Sequence, residues 1–295
     1  PENDIDSNLG TVNGGGDTFS LIDVKYTPDL GFSFLIGDVA RNGETGIVNG
    51  GADDILLRNI ANGSLVVGDV YLDRGTMTGG ADTILVETTI AGRAMTNVER
   101  VIGDAYILNG LAAAAAVPAT LAVPNATGGD DSITLTNVNV AEVSGDFGDV
   151  YDRVALGGDD TISYSATFTL TTPQPPYQIT PNNTAVVGDA RFLSGNTEFT
   201  GGDDTISLVR IKGSTVSGDV ANGNITGPFA GGDDSISVLF NRANETSPGY
   251  DLIGDAFELF TNDFTGGNDT IAVNVLGSLA SGNLSLYGDS AFLSA

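Results

Sequence analysis

The sequence predicts an all-β fold, a parallel β-helix or β-roll solenoid of about eight coils with inserted loops, and three observations carry that prediction. A motif of the form Gly-Gly-x-Asp-x-(Ile/Phe) recurs eight times, starting at Gly14, Gly50, Gly79, Gly128, Gly157, Gly201, Gly231 and Gly266. A second motif, an apolar residue, any residue, then Gly-Asp, alternates strictly with it and ends on Asp38, Asp69, Asp104, Asp146, Asp189, Asp219, Asp255 and Asp289. After each first motif apolar residues alternate with polar ones, the period-two signature of a half-buried strand. Self-similarity at a nearly fixed spacing is the mark of stacked repeats.

Taken along the chain, residues 1–13 form an N-terminal segment and residues 14–295 a single solenoid domain. Successive first motifs lie 36, 29, 49, 29, 44, 30 and 35 residues apart. A coil of 29–30 residues is therefore the unit, and longer spacings are insertions into it. In each coil the pairs Ile84/Val86, Ile133/Leu135, Ile206/Leu208, Ile236/Val238 and Ile271/Val273 read as inward positions of the strand that follows Gly-Gly-x-Asp. A shorter strand precedes each Gly-Asp, with Val101, Val186 and Val216 pointing inward. Two insertions stand apart, at about 108–127 and 169–184. The first holds "GLAAAAAVPATLAVP", whose alanines favour a short helix that its prolines would end. The second holds "PQPPY" and reads as extended. At ~4.8 Å per parallel strand, eight coils make a rod on the order of 40 Å long.

Composition narrows the chemistry. The 295 residues hold 38 acidic against 11 basic side chains, a formal net charge of -27, with no His, Cys or Trp. Zinc sites built on Cys and His, His-based triads and thiol catalysis are excluded by inventory. So strong a negative charge repels nucleic acid and anionic membranes, and no apolar run is long enough to span a bilayer as a helix, so neither nucleic acid nor membrane insertion is expected.

Stacking turns each motif into a column. Asp17, Asp53, Asp82, Asp131, Asp160, Asp204, Asp234 and Asp269 should stand roughly 5 Å apart along the rod, the spacing of parallel strands. Two such charges repel by roughly 3 kcal/mol at an effective dielectric of about 20, and neither Lys nor Arg recurs at a fixed motif position to neutralise them. A divalent cation can, and Asp carboxylates with turn carbonyls suit calcium, which accepts irregular oxygen cages, better than magnesium. Several calcium ions are expected, with the Gly-Asp column of Asp38, Asp69, Asp104, Asp146, Asp189, Asp219, Asp255 and Asp289 contributing. The second acids, Asp130, Asp159, Asp203 and Asp233, are further candidate ligands or solvated charges. Metal-free turns in which Asp caps backbone amides are the competing account.

These residues resemble the hemolysin-type calcium-binding repeats, the repeats-in-toxin (RTX) family, whose nonapeptide is Gly-Gly-x-Gly-x-Asp-x-U-x with U apolar. "GGNDTI" at Gly266–Ile271 is similar to its second half, and "YGDS" and "IGDA" to its opening. Here the two halves are separated by about ten extra residues in most coils, so the likeness is to a divergent and expanded version. The resemblance implies calcium in the turns, a β-roll or β-helix, and bacterial secretion to a calcium-rich exterior.

The same residues bear on other functions. Hydroxyl pairs Thr18/Ser20, Ser132/Thr134, Thr161/Ser163, Thr205/Ser207 and Ser235/Ser237 resemble the ranked arrays of ice-binding solenoids, interrupted at Asp54/Leu56 and Thr83/Leu85. With two lysines, no histidine and no unrepeated cluster of acids and bases, the chain is not expected to be an enzyme of the polysaccharide-modifying β-helix kind. The repeat begins by residue 14 and closes at Asp289 without a separate polar cap. Open β-coils are adhesive edges, so the expected function is a secreted, calcium-binding structural protein. It would assemble head to tail with itself into a filament, surface layer or matrix. An adhesin, or a module that binds polysaccharide, a cell surface or ice, is the alternative.

Overall fold

A computed structural model describes residues 10–23, 32–43, 46–60, 62–89, 96–109, 125–166, 184–211, 214–240, 250–261, 263–275 and 283–294. Among them there is no helix. The first coil holds four strands, β1 (Thr11–Asn13), β2 (Thr18–Ile22), β3 (Phe32–Ile36) and β4 (Val39–Asn42), and the same four-strand order repeats through eight coils to a final strand at Ser290–Ser294. Every fourth strand pairs with the next, so the thirty-two strands form four parallel eight-stranded sheets. The solenoid is thus an all-β stack of coils.

The two glycine-containing motifs are the corners that make this possible. Gly-Gly-x-Asp joins the short first strand to the second, and Gly-Asp joins the third to the fourth. Register follows the motifs: Ile84 pairs with Ile55 and Ile133, Ile162 with Ile206, and Ile236 with Ile271. Parallel sheets demand this registry, because a slip of one residue would turn each isoleucine outward.

The core has two apolar halves. Second- and third-strand residues, among them Ile84, Ile133, Tyr164, Leu208, Val101, Val186 and Val216, fill one. First- and fourth-strand residues, among them Met77, Phe147, Leu193, Phe199 and Phe229, fill the other. The sequence-predicted inward residues occupy these places, although Ile271 and Val273 of the last coil are only partly buried. In the second half, Phe199, Phe229 and Phe264 stack with centroids 5.8 and 5.2 Å apart. The seam between the halves is lined by aspartates.

Some boundaries move. The first coil opens with β1, inside the segment 1–13 set apart as N-terminal, and strands Ala105–Asn109 and Asn125–Thr127 reach into the insertion expected at about 108–127. The alanine-rich and "PQPPY" stretches lie outside the described residues. The second strands often end on a left-handed residue, at Asp23, Asn59, Asn137 and Arg210. Asn and Asp tolerate that conformation through local side-chain hydrogen bonds.

Candidate metal centre: two interleaved aspartate columns

The corners bring both motif aspartates to the seam. Asp53, Asp82, Asp131, Asp160, Asp204 and Asp234 are buried, and so are Asp38, Asp69, Asp104, Asp146, Asp189, Asp219 and Asp255. In the first column each carboxylate accepts, through Oδ1, the backbone N–H of the same aspartate one coil earlier. Asp17 donates to Asp53 at 2.6 Å, Asp53 to Asp82 at 2.7 Å, Asp131 to Asp160 at 2.6 Å and Asp204 to Asp234 at 2.8 Å. In the second column each carboxylate caps the second glycine of the next motif: Gly51 N–H donates to Asp38, Gly80 to Asp69, Gly129 to Asp104 and Gly158 to Asp146, each at 2.7 Å.

In thirteen of the sixteen carboxylates one oxygen is so satisfied and the other is not. Oδ2 of Asp53, Asp82, Asp131, Asp160, Asp204, Asp219, Asp234, Asp255 and Asp269, and Oδ1 of Asp69, Asp104, Asp146 and Asp189, are buried without a hydrogen-bond donor. Buried carboxylate oxygens are almost always paired. Here thirteen in a row are not.

The two columns interleave, so that one Gly-Asp aspartate sits between two successive aspartates of the other column. Asp17, Asp38 and Asp53 bring ligand oxygens within 4.8 Å of one another, as do Asp53, Asp69 and Asp82, then Asp82, Asp104 and Asp131, then Asp131, Asp146 and Asp160, then Asp160, Asp189 and Asp204, with two further groups. Burial first, and then the neighbouring carboxylates, raise the pKa values: Asp53 to about 7 and Asp82 to about 8. Asp234 is likewise pushed to about 8 and Asp255 to about 7. Asp104, Asp131, Asp160, Asp189, Asp204 and Asp219 are driven well above the ordinary value by the same causes.

The glycines are the steric condition for this approach. Gly145 lies against the Asp160 carboxylate and the Gly188 carbonyl, and a Cβ there would collide with both. Gly157 lies against the Asp189 carboxylate, and Gly158 against the Gly129 carbonyl. The same contacts recur coil after coil.

The second acids have a different place. Asp130, Asp159, Asp203 and Asp233 are exposed, and Asp159, Asp203 and Asp233 each donate their N–H to Oδ1 of the preceding one, at 3.1, 2.9 and 2.8 Å. The five groups named above contain none of them. They form a surface ladder of caps. At the rod's ends Asp17 and Asp289 are exposed.

Sequence reasoning missed one buried ion pair. Arg153, fully buried, lies 2.5 Å from Asp73 Oδ2 and also donates to the Gly75 carbonyl, while Asn42 donates to Asp73 Oδ1. Arg153 stands at the corner after the fourth coil and Asp73 at the corner after the second, so the pair spans the corner from which residues 110–124 depart. Its partners lie about eighty residues apart, so no local pattern signals it.

The hydroxyl pairs are in register on the outward side of the second-strand sheet: Ser132 pairs with Thr161, Thr161 with Thr205 and Thr205 with Ser235. No helix among the described residues is long and apolar enough to cross a membrane. Searches against protein-family models, curated proteins and solved structures found no match to this chain.

Proposed function

We propose that this chain is a calcium-stabilised structural protein of the extracellular space or cell surface, built to assemble with itself into a filament, surface layer or matrix. The observation that carries the cation reading is the run of buried, donor-free carboxylate oxygens, one from each of thirteen successive motif aspartates, with motif aspartates grouped in threes. Each coil brings two aspartates to the seam, so one divalent ion per interval between coils would balance their charge. All the donors are oxygens, the choice of a hard cation, and the irregular cage favours calcium over magnesium. The RTX-like motifs point the same way, and calcium is abundant outside cells. The first- and second-column aspartates would be ligands; Asp130, Asp159, Asp203 and Asp233 would not.

No step of chemistry is assigned to the chain. The ions would serve as staples, taking the place of disulfides in a chain with no cysteine. Isothermal titration with calcium, alongside far-UV circular dichroism in chelator, tests this. Several ions should bind, and chelation should remove most of the β-signal at neutral pH. An unchanged spectrum after rigorous chelation would rule the staples out.

A further inference from the structure

The repeat keeps two glycines, Gly15 and Gly288, that no neighbour among the described residues requires. At each internal step the glycine of Gly-Asp is trapped by the coil that follows: Gly254, for instance, lies against the Asp269 carboxylate and the Gly288 carbonyl. Gly288 holds the same place in the last coil, and a Cβ there would meet nothing among the described residues. At the other end, Gly51 lies against the Gly15 carbonyl and Gly267 against the Gly232 carbonyl, whereas Gly15 itself has open space. Both terminal glycines have the form of positions facing another coil.

The polar groups match in the same way. Asp234 N–H donates to Asp269, whereas among the described residues no aspartate receives Asp269 N–H. Gly267 N–H caps Asp255, whereas no glycine among the described residues caps Asp289. The first coil offers both missing partners, the Asp17 carboxylate and the Gly15 N–H. Asp269 Oδ2 is buried without a donor, and the interleaved pattern leaves Asp269 and Asp289 one aspartate short of a group of three. Apolar columns continue too: Phe19 and Leu21 at one end, and Ile271 and Val273 at the other, are only partly buried members of one core.

We infer that the first coil of a second copy docks in register on the last coil, and that Asp269, Asp289 and the second copy's Asp17 together hold a divalent cation at the junction. The inference rests on the cation reading of the internal groups. The contact is heterologous and parallel, so it repeats without closing and generates a filament. Register places Phe19 over Ile271 and Leu21 over Val273.

The test is sedimentation velocity and electron microscopy of the 295-residue chain, with and without excess calcium, for the wild type, Gly288→Ala and Asp17→Asn. The wild type should form end-to-end polymers in calcium and dissociate in chelator. Gly288→Ala should fold, bind its internal ions and melt as the wild-type monomer does, yet associate roughly tenfold or more weakly, because its methyl group would meet the incoming Asp17. Asp17→Asn should weaken the calcium dependence of association. Wild-type protein that stays monomeric in excess calcium, while its β-signal remains sensitive to chelator, overturns the junction and leaves the internal ions standing. Polymers that form equally well with Gly288→Ala overturn the proposed register. A β-signal indifferent to chelator removes the internal ions, and with them the ion at the junction.

Discussion

At the scale of single residues, the corner glycines and the seam aspartates form one device. Gly145 permits the approach of Asp160, so Gly145→Ala must push the carboxylate or the Gly188 carbonyl away. A loss of about 3 kcal/mol or more is expected from such overpacking against backbone, read as a lowered thermal midpoint in calcium. Asp204→Asn removes a charge, and its amide can still accept the Asp160 N–H now received at 2.7 Å. This variant should fold in calcium but bind about one ion fewer by titration, and an unchanged ion count would show that Asp204 is no ligand. Arg153 makes a contrasting case. Arg153→Met leaves Asp73 buried beside an apolar side chain and should cost about 3–5 kcal/mol, the range for breaking a buried pair. Adding Asp73→Asn removes the stranded charge and should recover much of the loss. If the double variant were no more stable than the single one, Arg153 would act through packing rather than through its charge.

At the scale of the strand and coil, stability is close to a sum of near-identical steps, because each coil packs chiefly on its neighbours, the Arg153–Asp73 pair being a contact that skips a coil. Leu208→Ala opens a cavity between Tyr164 below and Val238 above, which it pairs in register. The expected cost is about 2–5 kcal/mol, and because it falls on two intervals it should broaden urea unfolding as well as shift it. A sharp two-state transition at every denaturant concentration would show that the coils are coupled more tightly than nearest-neighbour stacking allows. The strands were legible in the sequence because their signal is local. Ile206 and Leu208 alternate with hydroxyls, and the glycines mark where the chain turns. The columns were legible as well, since a fixed motif position in a solenoid must stack on itself. Their interleaving was not, because it depends on how far two corners of one coil approach each other across the seam, which no spacing along the chain encodes. For the same reason the split between Asp160, buried beside Asp146, and Asp159, one residue away and exposed, could not be read from "GGDD". The two-lobed core and the Arg153 pair likewise join positions whose proximity exists only after coiling.

At the scale of the molecule, the proposed ion seam would make stability depend on protons and cations in opposite senses. Without metal, Asp82 and Asp234 have folded-state pKa values raised from 3.8 to about 8, and Asp53 and Asp255 from 3.8 to about 7, chiefly by burial and then by like charges. A group whose folded value lies above its unfolded value binds its proton more tightly when folded. Its contribution is complete below the unfolded value and is lost as pH rises through the folded one. The metal-free chain should therefore be most stable near pH 4 and weaken steadily toward pH 8, the reverse of ordinary acid denaturation. Calcium bound as proposed would need the same carboxylates deprotonated, so its affinity would rise over that window, and the stabilisation it conferred would grow with both affinity and concentration. Melting curves in chelator and in millimolar calcium, taken from pH 4 to pH 8, should converge at the acid end and diverge at the neutral end. The gap at neutral pH measures the ions, and the slope in chelator measures the protons that replace them. A metal-free midpoint that rises from pH 4 to pH 8 would mean that the seam carboxylates are ionised and satisfied without any ion, and the staple account would fall with it.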